Sequence, residues 1–189
     1  MIKILKAIGN FILDFIETIV TALAIFVLIY LFLFQPHQVK GNSMSTPLPQ
    51  SFHNGEYLLT NKITYKFHEI KRSDVIVFKA PHNENYDYIK RVIGLPGERI
   101  KIQKGKVFIN GSPLNESKYL PQNSYTNAGR FLKEGEEIII PPRKYFVIGD
   151  NRSYSSDSRD WGFVPQKNII GKAWFRYWPP DKIGLVKYN

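Results

Sequence analysis

The chain contains no cysteine. That excludes a disulfide framework and any zinc site built on thiolates. It leaves the compartment open, since an extracytoplasmic domain can do without disulfides. Histidine is scarce. His37, His53, His68 and His82 stand alone in polar contexts, none at metal-ligand spacing, so surface positions are expected and neither a metal nor another cofactor is implied. Two common serine signatures are also missing: no S-x-x-K occurs, and "GNSMS" lacks the second glycine of the G-x-S-x-G elbow. There is no internal repeat and no low-complexity tract, and helical periodicity is weak beyond the N-terminal region.

Residues 18–34, "TIVTALAIFVLIYLFLF", lack charge altogether. A helix needs roughly 20 apolar residues to cross the hydrocarbon core, and Phe15 and Ile16 extend this run toward that length. Asp14 and Glu17 are then expected near one interface, on one helix face. A cleaved signal peptide would have a shorter apolar core and a small-x-small site; "FLFQPHQV" offers none. Residues 1–36 therefore read as an uncleaved signal anchor. Lys3 and Lys6 favour an N-terminus inside the cell, with residues 35–189 outside the cytoplasm.

Excess positive charge is present, at +10, from 26 Lys and Arg against 16 Asp and Glu. Lys3, Lys6, Asp14 and Glu17 cancel, so all of the excess lies in residues 37–189. An anionic membrane surface or a nucleic acid would suit such a domain. About 150 residues beyond the anchor suffice for one domain with its own core. Short runs rich in Tyr, Val and Ile, bounded by turn residues, predict strands over 56–62, 74–80 and 86–94. "ERIKIQKGKVFINGSPL" predicts a hairpin around Gly105 and a turn at Asn110-Gly111. Two more strands are expected in 136–151 and a last one before Pro179-Pro180. The predicted fold is mostly β: an N-terminal transmembrane helix, then an all-β domain of bent antiparallel sheets. Residues 37–97 and 143–189 form its core, and 98–142 are expected to be an inserted β subdomain.

Three stretches carry residues suited to chemistry. "GNSMSTPL" (41–48) holds Ser43 in a Gly/Pro-shaped loop close to the anchor; a lone serine there is ordinarily a turn residue. In "YIKRVIGLPGE" (88–98), Lys90 and Arg91 are adjacent in an apolar strand and point to opposite faces, so both cannot easily reach water. A buried lysine has its charged form disfavoured and can act as a general base; a snorkelling lysine on an edge strand is the plainer alternative. "GDNRSYSSDSRDWG" (149–162) interleaves Asp150, Asp157 and Asp160 with Arg152 and Arg159, which suggests internal ion pairs rather than a bare cation site.

The anchor, "GNSM", "YIKRVIGLPGE" and "GDNRSYSSDSR", in this order, resemble a bacterial type I signal peptidase over nearly the whole chain. The resemblance implies that Ser43 is the nucleophile and Lys90 the general base of a Ser–Lys dyad. It implies that Ser155 hydrogen-bonds and orients the lysine amine, and that Asp157 and Arg159 form a structural ion pair. Lysine at position 90 matches the bacterial form rather than the endoplasmic reticulum form. The implied substrates are signal peptides of exported preproteins, cut after small-x-small sites, with Met44, Tyr88 and Ile89 lining the substrate pocket. Membrane phospholipid is the other implied partner; neither nucleic acid nor metal is. Asp150 and Asp157 are expected to face Arg152, Arg159 or backbone N–H groups, leaving no carboxylate on Lys90.

This sequence departs from the family's pattern at two points. The family usually has proline then threonine after S-M-x, whereas here the order is Thr46-Pro47. Gly41 stands where some members carry a hydroxyl oxyanion donor, so backbone groups would have to serve. Two other readings remain open: a membrane-anchored, non-catalytic β domain that binds lipid or polymer, and a self-cleaving repressor-type Ser–Lys protein. The anchor and the lack of a helix-turn-helix pattern weigh against the latter.

Overall fold

The computed structural model describes residues 2–186. Helix α1, Ile2–Phe32, is a single uninterrupted helix. Its Lys6–Tyr30 segment has a mean hydropathy of 2.4, and none of it is buried against the rest of the protein. It is long and apolar enough to cross a membrane, and a helix satisfies its own backbone groups where no water can. The helix begins well before the predicted run and stops sooner. Phe34 is not helical but opens the first strand, where its ring stacks on Trp174 at 4.9 Å. Asp14 and Glu17 fall inside the apolar segment rather than at its edge.

Twelve strands follow among the described residues: β1 (Phe34–Gln38), β2 (Tyr57–Asn61), β3 (Val75–Lys79), β4 (Asp87–Gly94), β5 (Arg99–Gln103), β6 (Lys106–Ile109), β7 (Ser112–Pro113), β8 (Glu137–Ile139), β9 (Lys144–Ile148), β10 (Val164–Pro165), β11 (Ile169–Trp178) and β12 (Gly184–Leu185). Two one-turn helices, α2 (Thr64–Phe67) and α3 (Ser158–Trp161), lie between them. An eight-stranded sheet runs β1-β2-β11-β3-β4-β9-β10, with β12 on β11; a four-stranded sheet runs β7-β6-β5-β8. All the strand pairs are antiparallel. Residues at Lys104-Gly105 and Asn110-Gly111 have positive φ at both positions, the geometry of the primed turns that match strand twist.

Alternation along β3 shows why the main sheet has a core on each face. Val75 packs with Val39, Met44, Phe52, Leu58 and Ala173, beneath the loop that carries Ser43. Ile76 and Phe78 pack on the other side with Ile70, Val92, Tyr145 and Val147. A third cluster, including Ile93, Ile100, Ile102, Leu132, Ile140 and Phe146, joins the small sheet to the large one. β4 enters this packing from Lys90 onward, so its last five residues are buried on both faces. Both cations of the Lys90-Arg91 pair are therefore enclosed, at 4% and 1% exposure.

Candidate active site

Burial of Arg91 demands a counter-charge, because a desolvated cation left alone is costly. Asp150 supplies it: Arg91 Nε and Nη2 donate to the two Asp150 carboxylate oxygens at 2.8 and 2.6 Å, and Nη1 donates to the Ser73 carbonyl at 2.8 Å. The guanidinium also lies 4.3 Å from the Tyr119 ring. Asp150 thus pairs with Arg91 and not with an arginine of its own loop. Arg152 turns instead to Glu116, at 2.5 Å, and to Thr126. Position within "GDNR" revealed neither pairing, because each partner comes from a distant segment.

Asp157 and Arg159 do pair with each other. Arg159 Nε and Nη2 donate to the two Asp157 oxygens at 2.7 and 2.9 Å, both residues being buried. Asp157 also caps α3 and accepts the Gly149 N–H at 3.1 Å. This network draws residues 149–159 tightly against the Ser43 loop. Asn151 N–H donates to the Ser43 carbonyl at 3.0 Å, and Asn151 Nδ2 donates to the Asn42 carbonyl at 3.0 Å. A Cβ on Gly149 would overlap the Ser155 hydroxyl and the Ser43 carbonyl, which explains the glycine. Gly149→Ala is expected to cost about 1–3 kcal/mol through overpacking, read as a lowered melting temperature of the full chain in detergent.

With these loops closed, Ser43 and Lys90, 47 residues apart, meet: Lys90 Nζ lies 2.7 Å from Ser43 Oγ. Its other hydrogen-bond acceptor is the Ile89 carbonyl, at 3.1 Å. No carboxylate contacts the amine among the described residues. The Lys90 pKa is lowered to about 8, chiefly because burial penalises its charged form; Asp157 and Asp150 oppose that shift, and Arg159 adds to it. The Ser155 hydroxyl, expected on the lysine amine, is buried with no hydrogen-bond partner among the described residues. The Ser155 carbonyl accepts from Arg159 Nη2 at 3.3 Å.

A groove of about 440 Å³ opens onto this pair, its walls formed by residues 37–40 and by 85–90. Tyr88 and Ile89 line it, along with Ser156. Met44 does not. It is 1% exposed within the core beneath the loop, and its sulfur accepts the Asp150 N–H at 3.4 Å. Its apolar chain anchors the turn from below instead of facing a ligand. His37 was expected at the surface but is half-buried on the groove wall, with Nδ1 2.9 Å from Thr60 Oγ1 and Nε2 3.1 Å from Asp87 Oδ2. The wall strand β1 escaped the sequence reading because "FQPHQ" is polar and contains proline, which only an edge strand tolerates. His68 and His82 are exposed.

Comparisons with known proteins identify the family. The family model described as signal peptidase, peptidase S26, matches residues 12–178. The chain is 36% identical over 184 residues to a probable signal peptidase I-1 of Synechocystis, covering 94% of this chain and 88% of that one. It is 41% identical over 155 residues to signal peptidase I of Bacillus caldolyticus, covering 79% and 82%. Signal peptidase IB of Staphylococcus aureus is 34% identical over 188 residues, covering 94% and 93%. A crystal structure of a signal peptidase I from Enterococcus faecalis superposes with a TM-score of 0.44 at 30% identity, covering 56% of this chain and 97% of that one. The family model and the curated relatives, together with the apolar helix, lead to one conclusion: the chain belongs to the signal peptidase family, peptidase S26, and is a membrane-anchored serine endopeptidase that removes signal peptides.

Proposed function

We propose that Ser43 is the nucleophile and Lys90 the base that activates it. The observation that carries this reading is the 2.7 Å contact between Ser43 Oγ and a desolvated Lys90 amine at the mouth of the groove. A serine hydroxyl is a weak nucleophile until a base takes its proton, and only the neutral amine can do so. Lys90 accepts the proton as Oγ attacks the scissile carbonyl. The resulting ammonium then protonates the departing amine, and Lys90, neutral again, activates the water that hydrolyses the acyl-enzyme. The Ser43 N–H is the proposed oxyanion donor, since Gly41 has no side chain to contribute. The unpaired Ser155 hydroxyl lies in the loop against Ser43 and is free to bond Lys90 as the proton moves.

The N-terminus is cytoplasmic in this reading, and the β domain works outside, resting its positive charge against phospholipid headgroups. Residues 98–142 serve as an inserted subdomain that buttresses the site from one side. Because β1 follows α1 after a single residue, Ser43 is held close to the bilayer, where a signal peptide emerges.

Tyr88, Ile89, Val39 and Val77 give the groove apolar walls suited to small side chains. Purified full-length protein in detergent is expected to cut a preprotein after an Ala-x-Ala site, with product masses locating the cut. Phe in place of the alanine just before the cut should reduce cleavage by more than about 100-fold, since an aromatic ring exceeds a shallow pocket by far more than one methylene. Efficient processing of the Phe substrate would refute this pocket.

A further inference from the structure

The Ser43 turn is clamped on two sides, and only one clamp belongs to the motif "GDNR". Across from Asn151, the segment 50–56 folds under the turn. Ser51 is 2% exposed, and its hydroxyl touches both ends of the chain just after the nucleophile. Ser51 Oγ donates to the Met44 carbonyl at 2.9 Å and accepts the Thr46 N–H at 2.5 Å. Phe52 N–H donates to the same Met44 carbonyl at 3.2 Å. A hydroxyl has one proton and two lone pairs, so a single serine can satisfy both backbone groups.

Ser51 is itself fixed from the far side. Arg176 Nη2 donates to its carbonyl at 2.9 Å, and the guanidinium lies 5.1 Å from the Phe52 ring. Arg176 pairs with buried Glu56 at 3.3 Å, and Lys182 meets Glu56 at 3.1 Å. β11, a long strand central to the main sheet, thereby sets the height of Ser51. The Thr46-Pro47 order now has a physical meaning. Proline at 46 would have no N–H to give, whereas threonine there provides the donor that Ser51 accepts.

We infer that Ser51 is a positioning residue: it holds the 44–46 segment so that Ser43 Oγ stays within reach of Lys90 Nζ. This rests on the reading of Ser43 as the nucleophile. Ser51 touches neither substrate nor the dyad and acts only through the backbone of the turn. Loss of its hydroxyl frees the turn to drift, and a displacement near 1 Å at a reacting atom costs up to about 100-fold in rate. Substrate affinity should hold, because the groove walls at 37–40 and 85–90 do not include Ser51.

The test compares full-length wild type, Ser51→Ala, the double variant Thr46→Pro/Pro47→Thr, the triple combination, and Ser43→Ala, all on one preprotein. Ser51→Ala is expected to lower kcat roughly 10- to 100-fold with KM within about twofold, at a temperature where thermal melting shows it fully folded. The order swap should lower kcat in the same direction. The triple variant should be less impaired than the product of the two effects, because both act on one hydrogen bond. A Ser51→Ala kcat within twofold of wild type overturns the inference. So does a fall that merely tracks lost folded protein. If Ser51→Ala does not fold, the swap variant alone decides: a wild-type kcat overturns the role of the Thr46–Ser51 bond. An inactive Ser43→Ala beside a wild-type Ser51→Ala refutes only this positioning role, whereas an active Ser43→Ala sinks both readings.

Discussion

Ser43→Ala is expected to lose preprotein cleavage by about four orders of magnitude or more, and Lys90→Ala by the same amount, with the variants still folded and membrane-bound. Members of a catalytic unit fail together: a base without its nucleophile does nothing, and a serine without its base is as inert as free serine. Lys90→Arg should be equally inactive, since a guanidinium stays protonated and cannot accept the Ser43 proton. The double variant should be no slower than either single one. Measurement is by product mass and initial rate on the same substrate. A rate within tenfold of wild type for either alanine variant would remove Ser43 and Lys90 from the mechanism.

The rate at low substrate is expected to rise with pH through a limb centred near pH 8, the value to which the Lys90 pKa is lowered. The direction follows from the chemistry, because only neutral lysine accepts a proton. At pH 7 a pKa near 8 leaves roughly one enzyme in ten competent, whereas the ordinary lysine value would leave about one in 2,500. Burial is the main cause of the lowering, and it acts against the opposing fields of Asp157 and Asp150. Those carboxylates are held off the amine by Arg159 and Arg91. A profile already flat by pH 6.5 would show that another group is the base.

The same shift makes Lys90 a stability cost. The unfolded chain holds a proton on this lysine up to its ordinary pKa, and the folded chain releases it near pH 8. Stability therefore rises with pH from about 8 to about 10.5, as removing the proton that the unfolded chain still holds costs less and less. Lys90→Met should be inactive yet more stable than wild type below pH 8, by on the order of 2–3 kcal/mol, with the gain fading toward pH 10.5. Thermal melting in detergent across that range reads the difference.

Several features could be read from the sequence because short-range chemistry dictates them. The apolar N-terminal helix follows from composition. The turns at Gly105 and Asn110-Gly111 follow from residues that accept positive φ, whereas the positive φ of Lys104 does not. The Asp157–Arg159 pair was implied by the motif resemblance and not by spacing, since Asp150 and Arg152, equally two apart, take other partners. β3 and β4 announced themselves by apolar, β-branched runs, whereas β1 did not, since its pairing depends on the whole edge of β2. The nomination of Ser43 and Lys90 came from the motif resemblance, not from periodicity.

What lay beyond the sequence was everything set by register and curvature. Alternation assigns a side chain to one of two faces but does not say what fills either face. Hence the strand pattern raised the conflict between Lys90 and Arg91, and only packing resolved it. Asp150 reached Arg91 from 59 residues away, and a lysine facing Ser43 was left desolvated without a counter-ion in contact. Met44 went into the core rather than the groove, His37 became part of the groove wall, and Ser155 kept its hydroxyl unpaired for the same reason. The lysine pKa is likewise a property of the assembled surroundings. Desolvation sums over every atom that excludes water from Nζ, and those atoms come from segments the chain brings together only when both loops close on β4.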